Sequence, residues 1–240
     1  MEITTLLIII IGIFLGFFIQ TIVGFGGTLV SLPILLIVLE IPDAIAYISL
    51  FYFISSTVLI SKEWVHIQKK IIIKLAFMSI IGVGVGILIL IYANPIFLKR
   101  SLGVFIIAYV LYSQYANKEI QVSSKLEYFL GFLGGLFSGL FSTGGPLYVI
   151  VVKKATPNIK IFRATMFGVL GLITLVRIPM LLVGGVIKTS HLYTSLFILP
   201  FFFLALILGK KMYQKLNETR IKKIISIMLL CSGTLLLIKS

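Results

Sequence analysis

The sequence predicts an all-α polytopic membrane protein of two inverted-topology repeats, each a broken or re-entrant helix pair followed by three transmembrane helices. Hydrophobic residues make up 60% of the 240 residues, and charged residues only 12%. Several uncharged segments reach about 18 residues, which is long enough to cross a hydrocarbon core of ~30 Å. A glycine-containing break also recurs near the middle of two apolar segments, which is typical of transporters built from repeats.

The distribution of charged residues limits which partners the protein is expected to bind. A net charge of +14 comes from 21 basic and 7 acidic residues, and the basic residues lie mainly in short loops. They therefore indicate membrane orientation rather than a nucleic-acid surface. The single Cys231 cannot form an internal disulfide, and the two histidines are not part of a ligand cluster. We expect a lipid bilayer as partner, no nucleic acid, and no metal or other cofactor.

Two breaks of similar composition interrupt the apolar segments. The first consists of Gly24, Phe25, Gly26, Gly27 and Thr28, and the second, 118 residues later, of Ser142, Thr143, Gly144, Gly145 and Pro146. Because Ser142 replaces the first glycine, the two breaks are not chemically equal.

The rest of the chain also aligns with itself. Gly16 matches Gly134 at the offset of 118, whereas Gly86 matches Gly209 at an offset of 123, so the second half carries a short insertion. We expect a first membrane repeat at residues 1–117 and a second at residues 118–240, together forming one membrane domain.

Loop charge predicts opposite orientations for the two repeats. The loop at 62–74 carries four lysines, whereas its equivalent carries only Lys188. Conversely, residues 40–43 contain no basic residue, whereas the equivalent loop at 153–163 contains four. The positive-inside rule then places both termini outside a plasma or inner membrane. The turn with Lys99 and Arg100 goes against the rule.

The broken segments cannot be simple spans. Three full spans per half already give the odd number of crossings that inversion needs. The piece at 28–39 would be only ~18 Å long as a helix. Each broken segment is therefore predicted to be two helices that meet at the glycines as a re-entrant or short hairpin.

The turns of these hairpins are the predicted substrate site. Glycines allow close approach of a ligand, and the N–H groups that begin a helix favour an anion. The predicted ligands are residues 24–28 and 142–146, with Gln20, Thr21 and Ser138 nearby. The alternative is that the glycines serve helix packing. We expect that packing role for five others: Gly12, Gly16, Gly82, Gly84 and Gly86.

Arg177 is the strongest single candidate for a substrate-binding residue, because it lies within the otherwise uncharged segment 164–187. A charge there is costly unless it faces a cavity or a partner. No acidic residue lies at matching depth, so an anionic substrate is the predicted counter-ion, and snorkelling to the outer interface is the alternative. Arg163 and Thr165 lie at the start of the same helix. They are expected to line the transport pathway or, in the case of Arg163, to anchor the helix at the membrane interface. Seven aromatic residues fit interfacial belts or helix packing better than binding: Trp64, Tyr47, Tyr52, Tyr92, Tyr109, Tyr112 and Tyr148.

The chain resembles the sulfite exporter family TauE/SafE. The resemblance rests on Gly-Phe-Gly-Gly at 24–27, Ser-Thr-Gly-Gly-Pro at 142–146, Arg-Ala-Thr at 163–165 and the small-residue helix at 82–86. It implies a plasma-membrane permease that moves small sulfur-containing anions, such as sulfite or organosulfonates, generally outward. The resemblance also implies that four glycines lie at the hairpin tips: Gly26, Gly27, Gly144 and Gly145.

We therefore expect a transporter with alternating access, not an enzyme, and we leave a homodimer open. The first alternative is an anion channel with the same hairpins and a continuous pore. The second is a membrane enzyme or scaffold, for which the sequence offers no cluster of reactive residues.

Overall fold

The computed structural model describes residues 2–115, 123–156 and 158–213, together with residues 230, 233, 234 and 237. These residues are helical apart from short connections. The α-helices are α1 (Ile3–Val23), α2 (Gly27–Leu35), α3 (Ile41–Glu63), α4 (Lys69–Tyr92), α5 (Pro95–Tyr115), α6 (Ser124–Phe141), α7 (Gly145–Ala155), α8 (Ile159–Val183) and α9 (Thr189–Tyr213). The predicted last span of the second repeat falls largely outside the described residues.

Both predicted breaks are confirmed. Helix α1 ends at Gly24 and α2 begins at Gly27, whereas α6 ends just before Ser142 and α7 begins at Gly145. We call α1 and α2 the first hairpin, α6 and α7 the second hairpin, and residues 24–28 and 142–146 the hairpin tips.

The two helices of each hairpin run antiparallel in contact. In the first hairpin a side chain at Gly12 would collide with Leu35, and one at Gly16 would collide with Ser31. In the second hairpin Gly134 packs against the ring of Tyr148. Small residues let the two helices of each hairpin approach this closely.

Six described helices are long and apolar enough to cross a membrane: α1, α3, α4, α5, α8 and α9. They make the chain a multi-pass helical membrane protein. With 21 residues, α1 is as long as a full span, whereas its partner α2 has only 9. The first hairpin is therefore strongly asymmetric.

Glycines also join helices from different parts of the chain. Gly82 and Gly86 of α4 face the carbonyl oxygens of Phe132 and Leu136 on α6. Gly84 has open space around it, so its predicted packing role is wrong. The reason is helical geometry, because positions 82 and 86 share one face whereas position 84 points to the opposite side.

The centre of the protein is aromatic. Phe17 of α1 packs edge-on against Phe202 of α9, with 5.1 Å between ring centroids, and Phe51 of α3 lies 5.0 Å from the same ring. Helices α3 and α8 pack antiparallel beside this cluster, with Gly171 against Ser56 and Ile60. This core holds both hairpins against the helices that follow them.

Candidate anion site between the hairpin tips

The two hairpin tips touch each other inside the protein. A Cβ atom at Gly145 would lie 3.3 Å from Cβ of Phe25 and 3.8 Å from the backbone nitrogen of Gly26. The polar tip side chains are buried, with Thr28 only 1% exposed and Ser142 5%. In this conformation an anion could enter between the tips only after they separate.

Backbone conformation explains two of the tip glycines. Gly24 and Gly26 have φ angles of 95° and 84°, which residues with a Cβ atom rarely adopt. Gly144 has an ordinary φ of −64°, but a Cβ atom there would lie 2.1 Å from the carbonyl oxygen of Gly134. Backbone conformation therefore requires glycine in the first tip, and close packing requires it in the second.

Each short helix begins at the tips without a capping side chain. The residues that precede α2 and α7 are Gly26 and Gly144, and neither offers a side-chain acceptor to the first N–H groups. The positive ends of two helix dipoles therefore lie beside the tip contact. Such an end favours negative charge.

Arg177 brings a full positive charge to the second hairpin. Its side chain is 2% exposed, so it does not snorkel to the surface of the described structure. Nη1 donates to the carbonyl oxygen of Ser138 at 2.8 Å, in the last turn of α6. Nε and Nη2 are buried without a hydrogen-bond partner. Across the described residues, none of the ion pairs involves Arg177.

Two tyrosines that the sequence did not single out lie beside Arg177. Tyr52 of α3 is 3% exposed, lies next to Thr28 and is within electrostatic range of the guanidinium. Tyr148 of α7 is fully buried, lies next to Ser138 and is also within range of Arg177. The sequence offered one indication for Tyr148, because this residue follows Pro146 in the first turn of α7. It offered none for Tyr52, because only the folded structure brings α3 to the tip.

Several buried polar atoms near Arg177 and the tips lack a hydrogen bond of good geometry. Besides Arg177, these are the hydroxyl oxygens of Thr28, Ser142 and Tyr148, of which the first and last lie close to other hydroxyl groups. Away from this region, Nε of Arg163 is also buried without a partner. Buried polar groups are nearly always hydrogen-bonded in native proteins. A buried guanidinium with two unused N–H donors and hydroxyl groups nearby is therefore a candidate ligand site.

The remaining predicted residues make structural contacts. Arg163 donates through Nη2 to the carbonyl oxygen of Thr21 at 2.7 Å and lies over the ring of Tyr213. Thr165 accepts from the backbone nitrogen of Gln68, and Gln20 reaches Ser55 at 3.5 Å. Along α8, Arg163 is ~21 Å from Arg177. Arg163 and Gln20 thus tie the first hairpin to α8 and α3, and Thr165 ties α8 to the start of α4.

Charged pairs lie away from Arg177, at the ends of the helices. Glu40 pairs with Lys99, and Asp43 pairs with Lys188 and with Nε2 of His191 at 3.1 Å. Elsewhere, Glu127 binds two lysines, Lys74 and Lys154. His191 is buried and also accepts through Nδ1 from the backbone nitrogen of Lys188, so both of its ring nitrogens have partners.

The fold and the sequence comparisons together define a multi-pass helical membrane transporter. The family described as sulfite exporter TauE/SafE matches residues 8–236, and the chain belongs to this family. It is 30% identical over 198 residues to a protein named as a probable membrane transporter in Methanocaldococcus jannaschii. That alignment covers 76% of this chain and 71% of the archaeal protein. No solved structure matches.

Proposed function

We propose that this protein exports a small sulfur-containing oxyanion, such as sulfite or an organosulfonate, through a site between the two hairpin tips. The observation that carries the proposal is the buried guanidinium of Arg177, whose Nε and Nη2 lack partners. The tip residues 24–28 and 142–146 supply the surrounding hydroxyl and N–H groups. The name of the family, sulfite exporter TauE/SafE, supports the sulfur-containing substrate class.

Electrostatics favours an anion over any other guest. Burying a charge without a partner costs several kcal/mol, and a bound counter-ion offsets that cost. A guanidinium presents its N–H donors in a planar fork that matches the oxygens of an oxyanion. The unused Nε and Nη2 lie on one edge of that fork, so they can bind two oxygens of one head group.

The inverted repeat is supported by paired contacts. Gly86 of α4 faces the carbonyl oxygen of Leu136, and its sequence equivalent Gly209 of α9 faces that of Phe18. Leu136 and Phe18 are themselves equivalent at the offset of 118. Each hairpin thus packs on a helix of the other repeat by the same contact, which a pseudo-two-fold axis would produce.

The direction of α3 and α8 supports inversion of the repeats at 1–117 and 118–240. These equivalent helices run antiparallel, because Gly171 packs against Ser56 and Ile60 and a groove joins Phe53 to Leu175. Two equivalent helices that both cross the membrane in opposite directions belong to repeats of opposite topology.

Ion pairs agree with both termini lying outside the cell membrane. The Asp43–Lys188 pair joins two connections predicted to be extracellular. Lys99, which goes against the positive-inside rule, pairs with Glu40. Its charge is therefore locally compensated.

Transport would proceed by rocking of one repeat against the other, which separates the tips toward one side at a time. An inside-negative potential favours anion exit by ~2.3 kcal/mol per charge per 100 mV. Export of an anion therefore needs no coupling ion. The tips touch in this conformation, which favours alternating access over a continuous pore. We infer no catalytic role.

Counterflow in proteoliposomes tests this function. Vesicles preloaded with unlabelled sulfite should accumulate labelled sulfite transiently and saturably, because a carrier exchanges its substrate across the membrane. Flux without saturation or counterflow would indicate a channel. Absence of flux for sulfite, thiosulfate, sulfoacetate and sulfate alike would contradict an anion transporter.

A further inference from the structure

We propose that Tyr52 and Tyr148 are anion ligands, one from each repeat, and that with Arg177 they select a head group of net negative charge. The inference rests on the proposed function and assigns the ligands and the charge preference of that site. The tyrosines come from α3 and α7, so they approach the guanidinium on different helices.

The burial of the two tyrosines is the first argument. Both rings are enclosed, and the Tyr148 hydroxyl lies beside the side chains of Ser79 and Ser138 without a hydrogen bond of good geometry to either. A tyrosine that serves packing alone would gain little from so weakly bonded a hydroxyl and would still carry the cost of burying it. A phenylalanine would fill the same space without that cost. The hydroxyl at position 148 is therefore better explained by a ligand.

The surroundings of each hydroxyl give the second argument. Tyr52 lies next to Thr28, at the start of α2, and Tyr148 lies next to Ser138, whose carbonyl oxygen binds Arg177. Each tyrosine thus joins Arg177 to one hairpin. An anion held by all three would contact both repeats, so its binding would respond to their relative position.

The positive charge of Arg177 gives the third argument, which concerns the preference for anions over zwitterions. Arg177 is the charged residue in this cluster, and none of the carboxylates in the described chain pairs with it. A zwitterion would bring an ammonium group toward a buried cation, with no carboxylate to compensate it. Sulfite and sulfoacetate carry only negative charge, whereas taurine carries an ammonium. We therefore expect the first two to bind more tightly than taurine.

The test measures binding by Tyr52→Phe and Tyr148→Phe proteins, with Tyr47→Phe as the matched control. Tyr47 lies on α3 and is also buried, but its ring packs edge-on against His191 at 4.9 Å. Calorimetry with sulfite, sulfoacetate and taurine on detergent-purified protein gives each affinity. Loss of a hydrogen bond to a charged ligand should weaken sulfite binding about 10-fold or more in the two site variants. The control should bind like the parent.

The outcomes separate the two proposals. If the parent protein binds none of these anions, the proposed function fails. If the parent binds sulfite and both site variants bind it equally well, the tyrosines are packing residues and this inference fails. Taurine binding as tightly as sulfoacetate would overturn the charge preference. Melting temperatures of the three variants show whether any loss reflects unfolding.

Discussion

Arg177 makes a structural contact and, in the proposed function, a binding contact with the same side chain. Nη1 donates to Ser138 in the last turn of α6, where a cation also interacts favourably with the helix dipole. The equivalent contact on the first hairpin is made by Arg163, which donates to Thr21 in the last turn of α1. Arg163 in addition stacks on Tyr213, with its guanidinium carbon 3.7 Å from the ring centroid. The two arginines therefore differ in what surrounds them rather than in how they hold a hairpin.

Arg177→Met removes both the contact with Ser138 and the proposed anion donors, and melting temperature and anion affinity report on the two losses separately. Because Met removes a buried, unpaired charge, we expect the ligand-free protein to melt at the same temperature as the parent or higher. Anion affinity should fall about 30-fold or more, since truncating one partner of a buried charge pair costs 2–5 kcal/mol. Differential scanning fluorimetry with and without sulfite measures both effects. A lower melting temperature with unchanged affinity would leave Arg177 only as a cap for α6.

The sequence identified Arg177 because a charge stands out in an apolar segment. Its surroundings could not be predicted, since Tyr52 and Tyr148 are ordinary membrane-helix residues until the fold brings α3 and α7 together. The Arg-Ala-Thr pattern at 163–165 was also recognisable in the sequence. The contacts of Arg163 and Thr165 with Thr21 and Gln68 depend on tertiary structure.

At the scale of elements, the hairpins depend on small residues. Gly16 and Gly134 allow the two helices of each hairpin to touch, and Gly145 allows the two tips to touch. The breaks were predictable, because two glycine pairs inside apolar segments have no role in a continuous helix. The shortness of α2 was predictable as well, because only residues 28–39 follow the first break, although the exact end of α2 at Leu35 was not.

Gly145→Leu should abolish anion binding. A Cβ atom there already meets Phe25 at 3.3 Å, so the longer side chain would wedge the tips apart or fill the space between them. The matched control is Gly84→Leu, because a side chain at Gly84 meets open space. Sulfite affinity of both purified proteins checks the prediction. Normal affinity in Gly145→Leu would show that the substrate binds elsewhere.

At the scale of the whole molecule, the two halves of the chain pack against each other through their hairpins. The first hairpin packs on α9 and the second on α4, so each hairpin contacts a helix of the other half. Internal similarity of the sequence predicted two equivalent halves. It could not predict that each hairpin packs on a helix of the other half. The contacts between Gly86 and Leu136 and between Gly209 and Phe18 join residues far apart in the chain.

The proposed inverted topology predicts which loops an impermeant reagent reaches. In a Cys231→Ser background, a cysteine at Asn94 should react with an impermeant maleimide on intact cells, whereas one at Gln68 should react only after permeabilisation. Both positions are exposed in the structure. Labelling of Gln68→Cys before permeabilisation, with Asn94→Cys protected, would reverse the proposed orientation.

Alternating access predicts that locking the tips together stops transport. In the same background, Phe25→Cys with Gly145→Cys places Cβ atoms about 3.3 Å apart, near the separation that a disulfide requires. Oxidation should abolish sulfite counterflow, and a reductant should restore it. The same double variant kept under reductant, and each single cysteine variant under oxidation, are the controls. Full activity of the oxidised tip pair would exclude tip separation as a step in transport.

The most direct test locates the anion itself. A crystal structure with selenite, a heavier analogue of sulfite, would reveal selenium by its anomalous scattering. We predict a peak about 4 Å from the Arg177 guanidinium, the distance expected when selenite oxygens accept from Nε and Nη2. It should lie between the tips, beside Tyr52 and Tyr148. A selenium peak elsewhere, with Arg177 still unpaired, would contradict the account.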